Sequence, residues 1–162
     1  MAEKKLIIYT DGAARGNPGP GGYGVILQWG NTRKELSAGY KHTTNNRMEL
    51  MAVIAALEAL NKEGLHIDLY TDSKYIVNAV QQRWLFKWVK TGFKNKKNPD
   101  LWRRFLPLYN KHHIRFIWVK GHAQNPLNNR CDQLATQAAD EAAYLEDTGF
   151  EDSRTKGSAG LL

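Results

Sequence analysis

At 162 residues the chain is about one domain long and needs neither disulfides nor a structural metal to bury a core. Its 42% hydrophobic and 24% charged residues exclude a collagen, a coiled coil and a wholly disordered chain. The formal net charge of +7 points to a polyanionic partner. That charge is not spread evenly. Arg83, Lys87, Lys90, Lys94, Lys96, Lys97, Arg103 and Arg104 face only Asp100 within one stretch, which carries the whole excess. The longest apolar run, Leu50 to Leu60, is far short of the ~20 residues of a membrane span, and Met1 to Lys5 leads straight into a strand pattern without a signal-peptide core. No membrane association is expected. Cys131, the one cysteine, fits a reducing, cytoplasmic setting.

Lys5 to Thr10 reads as a strand whose apolar run ends at Asp11-Gly12. Gly12 to Gly24 holds six of the fourteen glycines with Pro18 and Pro20, a turn-rich composition. Tyr23 to Trp29 and Arg33 to Tyr40 read as strands joined at Gly30-Asn31 in a hairpin. Leu50, Val53, Ile54, Leu57 and Leu60 recur at helical spacing within Asn46 to Asn61, and Gly64 stops that helix. Leu65 to Thr71 alternates as a strand, and Ser73 to Val80 follows as a short helix. The basic stretch reads as helical in two pieces around Gly92. Asp100 to Lys111 is a helix, Ile114 to Val119 a strand, Gly121 to Pro126 a loop, and Asn128 to Tyr144 the last helix. Beyond Leu145 the residues turn polar and small. The expected division is a domain over 1–150 and a disordered tail over 151–162. Early strands followed by alternating helices and strands imply an α/β fold, a mixed sheet with helices on its faces.

Four carboxylates sit at element ends: Asp11, Glu49, Asp72 and Asp132. If the first and fourth strands are neighbours, Asp11 and Asp72 project from one sheet edge, and Glu49 and Asp132 approach from helix N-termini. Converging acids without matching bases repel unless a divalent cation holds them, and oxygen ligands suit Mg²⁺ or Mn²⁺. Each acid also has a plainer reading. Asp11 before Gly12 starts a turn; Asn46 to Glu49 makes a cap with its glutamate; Asp72-Ser73 is an N-cap; Asp132 complements a helix dipole. Gly19 to Gly24 fits G-x-G-x-x-G, but prolines precede it and a strand follows, so a dinucleotide site is rejected.

Four segments in order resemble the motifs of bacterial type 1 ribonuclease H. They are Thr10 to Gly22, Thr43 to Leu50, Thr71 to Ser73, and Val119 to Ala123 with Asn128 to Asp132. The resemblance spans residues 4 to about 150. It implies a five-stranded mixed β-sheet flanked by α-helices, and endonucleolytic hydrolysis of the RNA strand of an RNA–DNA hybrid. By the same resemblance Asp11, Glu49, Asp72 and Asp132 are metal-binding and catalytic, and His122 is the loop histidine that moves a proton or releases product. Gly12, Ala14, Asn17, Thr44, Asn45, Asn46, Lys74 and Asn78 are implied substrate-binding positions. Trp84, Lys87, Trp88, Lys90, Phe93, Lys94, Lys96 and Lys97 form a basic handle for the duplex, with Trp88 and Phe93 as candidate contacts.

Hydrolysis of a phosphodiester needs an activated water and a stabilised leaving oxygen, which two Mg²⁺ ions about 4 Å apart can supply, with Mn²⁺ as a substitute. The expected products carry 5′-phosphate and 3′-hydroxyl ends. Glycines near Gly12 let backbone groups reach the 2′-hydroxyl that separates RNA from DNA. Phosphate grips at Asn17 and Thr44 position without reading bases, so little sequence specificity is expected. Ala13-Ala14, Leu127, Asn129 and Lys74 depart from common family residues, and the added charge of Lys74 is expected to tighten hybrid binding. A non-catalytic hybrid-binding module has no need of four carboxylates. A DNA strand-transfer enzyme of similar fold would lack the asparagine and glycine segments suited to RNA. The expected state is a monomer.

Overall fold

The computed structural model describes residues 5–120, 125–141 and 145–152. The chain runs β1 (Leu6–Ala14), β2 (Gly19–Trp29), β3 (Thr32–Thr43), α1 (Asn45–Glu58), β4 (His66–Thr71), α2 (Lys74–Gln81), α3 (Trp84–Lys90), α4 (Pro99–Asn110), β5 (His113–Trp118) and α5 (Pro126–Asp140). The five strands form one mixed sheet in the order β3-β2-β1-β4-β5. β1 pairs antiparallel with β2 and parallel with β4. The expected five-stranded mixed sheet with flanking helices is the observed architecture.

β1 is central and covered on both faces, which explains why its first half reads as an unbroken apolar run. Leu6 and Ile8 face the main core, where Leu50, Val53, Ile54 and Leu57 of α1 meet Trp102 and Phe105 of α4. Tyr9 faces the other side, where it packs with Ile26 and with Cys131 of α5. The Cys131 thiol is buried, and that burial drives its pKa up. Among the described residues no helix is long and apolar enough to cross a membrane.

Several boundaries differ from the sequence reading. The glycine-rich segment is largely strand: β1 continues to Ala14, and Gly12 and Ala13 pair with Tyr23 and Gly22. These glycines serve close packing more than turning. A Cβ on Gly24 would lie 2.7 Å from Leu134 Cβ and would also overlap the Cys131 carbonyl, so α5 rests directly on the β2 backbone. The helix cap at the second motif is Thr44, whose hydroxyl accepts from Arg47 N at 3.2 Å, so α1 starts at Asn45 rather than Asn46. Between Arg83 and Asn98 the basic stretch holds one helix, α3, and no second piece after Gly92. Gly92, Phe93 and Asn95 have φ of 64°, 62° and 60°, a left-handed run that no α-helix accommodates.

The chain end also differs. Residues 145–152 form a strap against the body. Lys41 N donates to Leu145 O at 2.8 Å, Phe150 is buried, and Glu151 pairs with His42 at 3.0 Å. Glu151 and Asp152, expected in a disordered tail, belong to a helical turn of that strap. The rest of the expected tail, 153–162, lies outside the described residues. Substituting Gly24→Ala should force α5 off the sheet and cost about 1–3 kcal/mol, read as a lower midpoint in urea denaturation.

Candidate active site

Parallel pairing places Thr10 of β1 beside Thr71 of β4, so the next residues, Asp11 and Asp72, leave the same sheet edge side by side. Glu49 reaches them from the second turn of α1, one residue further in than the sequence reading placed it because the helix begins at Asn45. Ligand oxygens of Asp11, Glu49 and Asp72 all lie within 4.8 Å of one another. Asp132, in the second turn of α5, lines the same open cavity of about 400 Å³ without joining that trio. Gly12 makes the close approach possible: a side chain there would overlap the backbone of Met48 and Glu49.

The electrostatics follow from the crowding. Asp11 is 4% exposed and Glu49 8% exposed. Asp11 is pushed up to about 7, chiefly by burial and further by the charges of Asp72 and Asp132, against a hydrogen bond with Glu49 that lowers it. Burial and then the charge of Asp11 drive Glu49 well above the ordinary carboxylate range. Two buried acids whose charged forms are both disfavoured mark a site short of positive charge. Glu49 Oε2 is buried with no hydrogen-bond partner among the described residues. An all-oxygen trio with one unpartnered buried oxygen fits a hard divalent cation.

Around the carboxylates the structure gathers Gly12, Asn45, Asn46 and Lys74, all expected substrate residues, together with Ala13, Ser73 and Tyr75, which sequence reasoning missed. Tyr75 sits one helical turn beyond Asp72, a spacing that could have found it. Trp118, also missed, donates from Nε1 to the Asp72 carbonyl at 3.1 Å, and Lys74 Nζ lies 4.9 Å from its ring centre. Asn45 is locked from both sides: Ala14 N donates to its Oδ1 at 2.6 Å, and its own N donates to Asn17 Oδ1 at 2.9 Å. Asn17, Thr44, Asn45 and Asn46 also line a second groove, about 940 Å³, with Lys96, Lys97 and Arg103 on its far wall. Asn78 is half-buried on α2 and lines neither cavity.

The handle separates into exposed and buried parts. Trp84 is 42% exposed at the head of α3, and Lys87, Lys90, Lys94, Lys96 and Lys97 are exposed. Trp88 is half-buried, edge-on to Trp102 with ring centres 5.9 Å apart, and Lys96 Nζ lies 5.5 Å from its ring centre. Phe93 is a correction. It is 6% exposed and packs into the core, with the Arg103 guanidinium 5.0 Å from its ring centre. Its left-handed backbone turns the ring inward, so it offers no surface for a base. His122 lies outside the described residues.

The chain matches the family model RNase H over residues 3–140. It is 52% identical over 153 residues to the ribonuclease H of Syntrophus aciditrophicus, covering 91% of this chain and 88% of that protein. Among solved structures it resembles LC9-RNase H1, a type 1 RNase H with the type 2 active-site motif (TM-score 0.76, 31% identity, 86% of this chain and 74% of that one). It also resembles LC11-RNase H1 in complex with an RNA/DNA hybrid (TM-score 0.62, 33% identity, 85% and 99%). The chain belongs to the ribonuclease H family, in its bacterial type 1 branch.

The raised Asp11 value has a thermodynamic consequence. The folded chain keeps a proton up to about pH 7 that the unfolded chain loses near 3.8. This contribution to stability is whole below about pH 4 and is lost as pH rises through 7. Without divalent cation, Asp11→Asn should therefore stabilise the protein at pH 7.5, with the gain vanishing near pH 4. Thermal melts in EDTA at the two pH values measure it.

Proposed function

We propose that this chain is an endonuclease that hydrolyses the RNA strand of RNA–DNA hybrids with two divalent cations, Mg²⁺ or in its place Mn²⁺. The observation that carries the proposal is the convergence of Asp11, Glu49 and Asp72 on one sheet edge, beside an asparagine platform and a basic handle. Asp11, Glu49, Asp72 and Asp132 would hold the cations. When bound, these supply Lewis-acid activation of water and charge stabilisation of the leaving oxygen. In the reaction a water oxygen bonds to phosphorus as the bond from phosphorus to the 3′ oxygen breaks. The water gives up a proton, and the leaving oxygen takes one up, ending as a 3′-hydroxyl opposite a 5′-phosphate. His122 is assigned to carrying that proton or easing product away, as its motif implies.

The chain's own groups set substrate choice. Asn45 Oδ1 is occupied by Ala14 N, so its amide is left as a donor toward the minor groove. Near it, Gly12 and Asn46 form a surface low enough for the 2′-hydroxyl of an RNA strand to approach. Asn17 and Thr44, with Lys96 and Lys97 across the groove, suit the phosphates of the DNA strand. Thr44 already accepts from Arg47 N, so its hydroxyl remains free to donate to a phosphate oxygen. The handle's exposed lysines add sequence-independent attraction, so cutting shows little sequence preference. In this reading the enzyme acts as a cytoplasmic monomer.

Two outcomes are expected. Asp11→Asn should abolish cleavage of an end-labelled hybrid in Mg²⁺ and in Mn²⁺ while leaving hybrid binding within a fewfold; cutting by that variant would overturn the metal assignment. Replacing Lys87, Lys94 and Lys96 with alanine should weaken hybrid binding and lower the salt slope of log K by about 2, measured by fluorescence anisotropy; an unchanged slope would reject the handle.

A further inference from the structure

Arg47 is a buried cation outside the carboxylate site, and its surroundings use all of its donors. Its guanidinium is 4% exposed. Nε donates to Asp147 Oδ2 at 2.6 Å and Nη2 to Asp147 Oδ1 at 2.9 Å. On the other side Nη1 and Nη2 donate to Asp100 Oδ1 and Oδ2 at 2.9 and 2.6 Å, and Nη1 also donates to Asn98 Oδ1 at 3.2 Å. Asp147 Oδ2 accepts a further bond from Thr43 Oγ1 at 2.6 Å. One guanidinium thus bridges two carboxylates through paired bonds, a geometry lysine cannot reproduce.

The three stretches it joins, 43–47, 98–100 and the strap at Asp147, are far apart in sequence. Thr43 ends β3. Arg47 is in the first turn of α1, beside Asn45 and Asn46. Asn98 and Asp100 are where the handle re-enters the body, directly after Lys96 and Lys97. Asp147 belongs to the C-terminal strap, whose Gly149, Phe150 and Asp152 wall the same groove as Asn17 and Thr44. The two sides of that groove, α1 and the handle root, are therefore fixed relative to each other through Arg47 and the strap.

We propose that Arg47 and Asp147 are positioning residues: their ion cluster sets the spacing between the α1 asparagines and the handle root, so that Asp147, which does not itself line the groove, governs hybrid affinity. The inference rests on the hybrid-cleavage reading above. Burial alone disfavours the Arg47 cation, and its bonds to Asp100 and Asp147 reverse that and hold its pKa above the ordinary arginine value. Arg47 is therefore charged at every working pH.

Two variants of the full chain separate positioning from mere stability. Asp147→Asn keeps the shape and removes one charge. Gly149→Ala removes no charge, but its Cβ would overlap the Asp100 carboxylate and lie 2.7 Å from Arg47 Nη2, pushing the strap away from the cluster. Both are assayed well below their melting temperatures, with hybrid binding by anisotropy in EDTA and cleavage in Mg²⁺. The expected result is a KM and a hybrid Kd raised about tenfold in Asp147→Asn and about threefold in Gly149→Ala, with kcat within twofold. Lower melting temperatures with unchanged KM and Kd would make the cluster purely structural and overturn the proposal. Should Asp147→Asn not fold, Gly149→Ala decides by the same readouts. A wild-type chain that neither binds nor cuts hybrid would overturn the hybrid reading and this inference with it, an outcome distinct from normal wild-type activity with unaffected variants.

Discussion

The repulsion among carboxylates at the end of β1 and β4 is the constraint on which the site is built. Asp11, Glu49 and Asp72 are brought together by the strongest structural elements the chain has: a parallel strand pair at the sheet centre and a helix packed on it. The sheet cannot relax the crowding without breaking register. When no cation is present, burial and mutual repulsion raise the pKa of both Asp11 and Glu49. A fold that stores unfavourable charge at one point binds an external cation there with little reorganisation.

The same constraint separates binding from chemistry. Four acids would repel a phosphodiester, so attraction has to come from elsewhere. The chain confines its whole excess of positive charge to the stretch from Arg83 to Arg104, away from the acids in sequence. That stretch is anchored by aromatic packing. Trp88 meets Trp102, and Trp102 meets Phe105 in the main core, so the exposed lysines project from a supported base. Burying Phe93 belongs to this anchoring: its loss as a contact surface is a gain in the rigidity of the turn that presents Lys94. The Arg47 cluster closes the opposite end of the handle against α1 and the strap.

Much of this was legible in the sequence because it depends on local pattern. The helical spacing of Leu50, Val53, Ile54 and Leu57 marks the buried face of α1, and the period-two alternation of Ile67 and Leu69 marks β4. The four acids stand out because each closes or opens an element. The glycine segment was misread as turn because composition does not distinguish a glycine that bends the chain from one that lets α5 or α1 lie against it. Gly24 and Gly12 are of the second kind. The strap was missed for a similar reason: Asp147, Gly149 and Glu151 are polar or small residues, and only their partners Arg47 and His42, a hundred residues away, give them a place.

By itself the sequence determined the elements, the family and the identity of the acids, since these rest on periodicity and short motifs whose physics is local. Tertiary structure alone decided that β1 and β4 are parallel neighbours in a register that sets Asp11 beside Asp72. It also decided that Phe93 turns inward, that Asn45 is tied to Ala14 and Asn17, and that Arg47 joins its own segment to the handle root and the strap. These are pairings between groups far apart along the chain. Their energies depend on burial and distance, which come into being only when the chain has closed on itself.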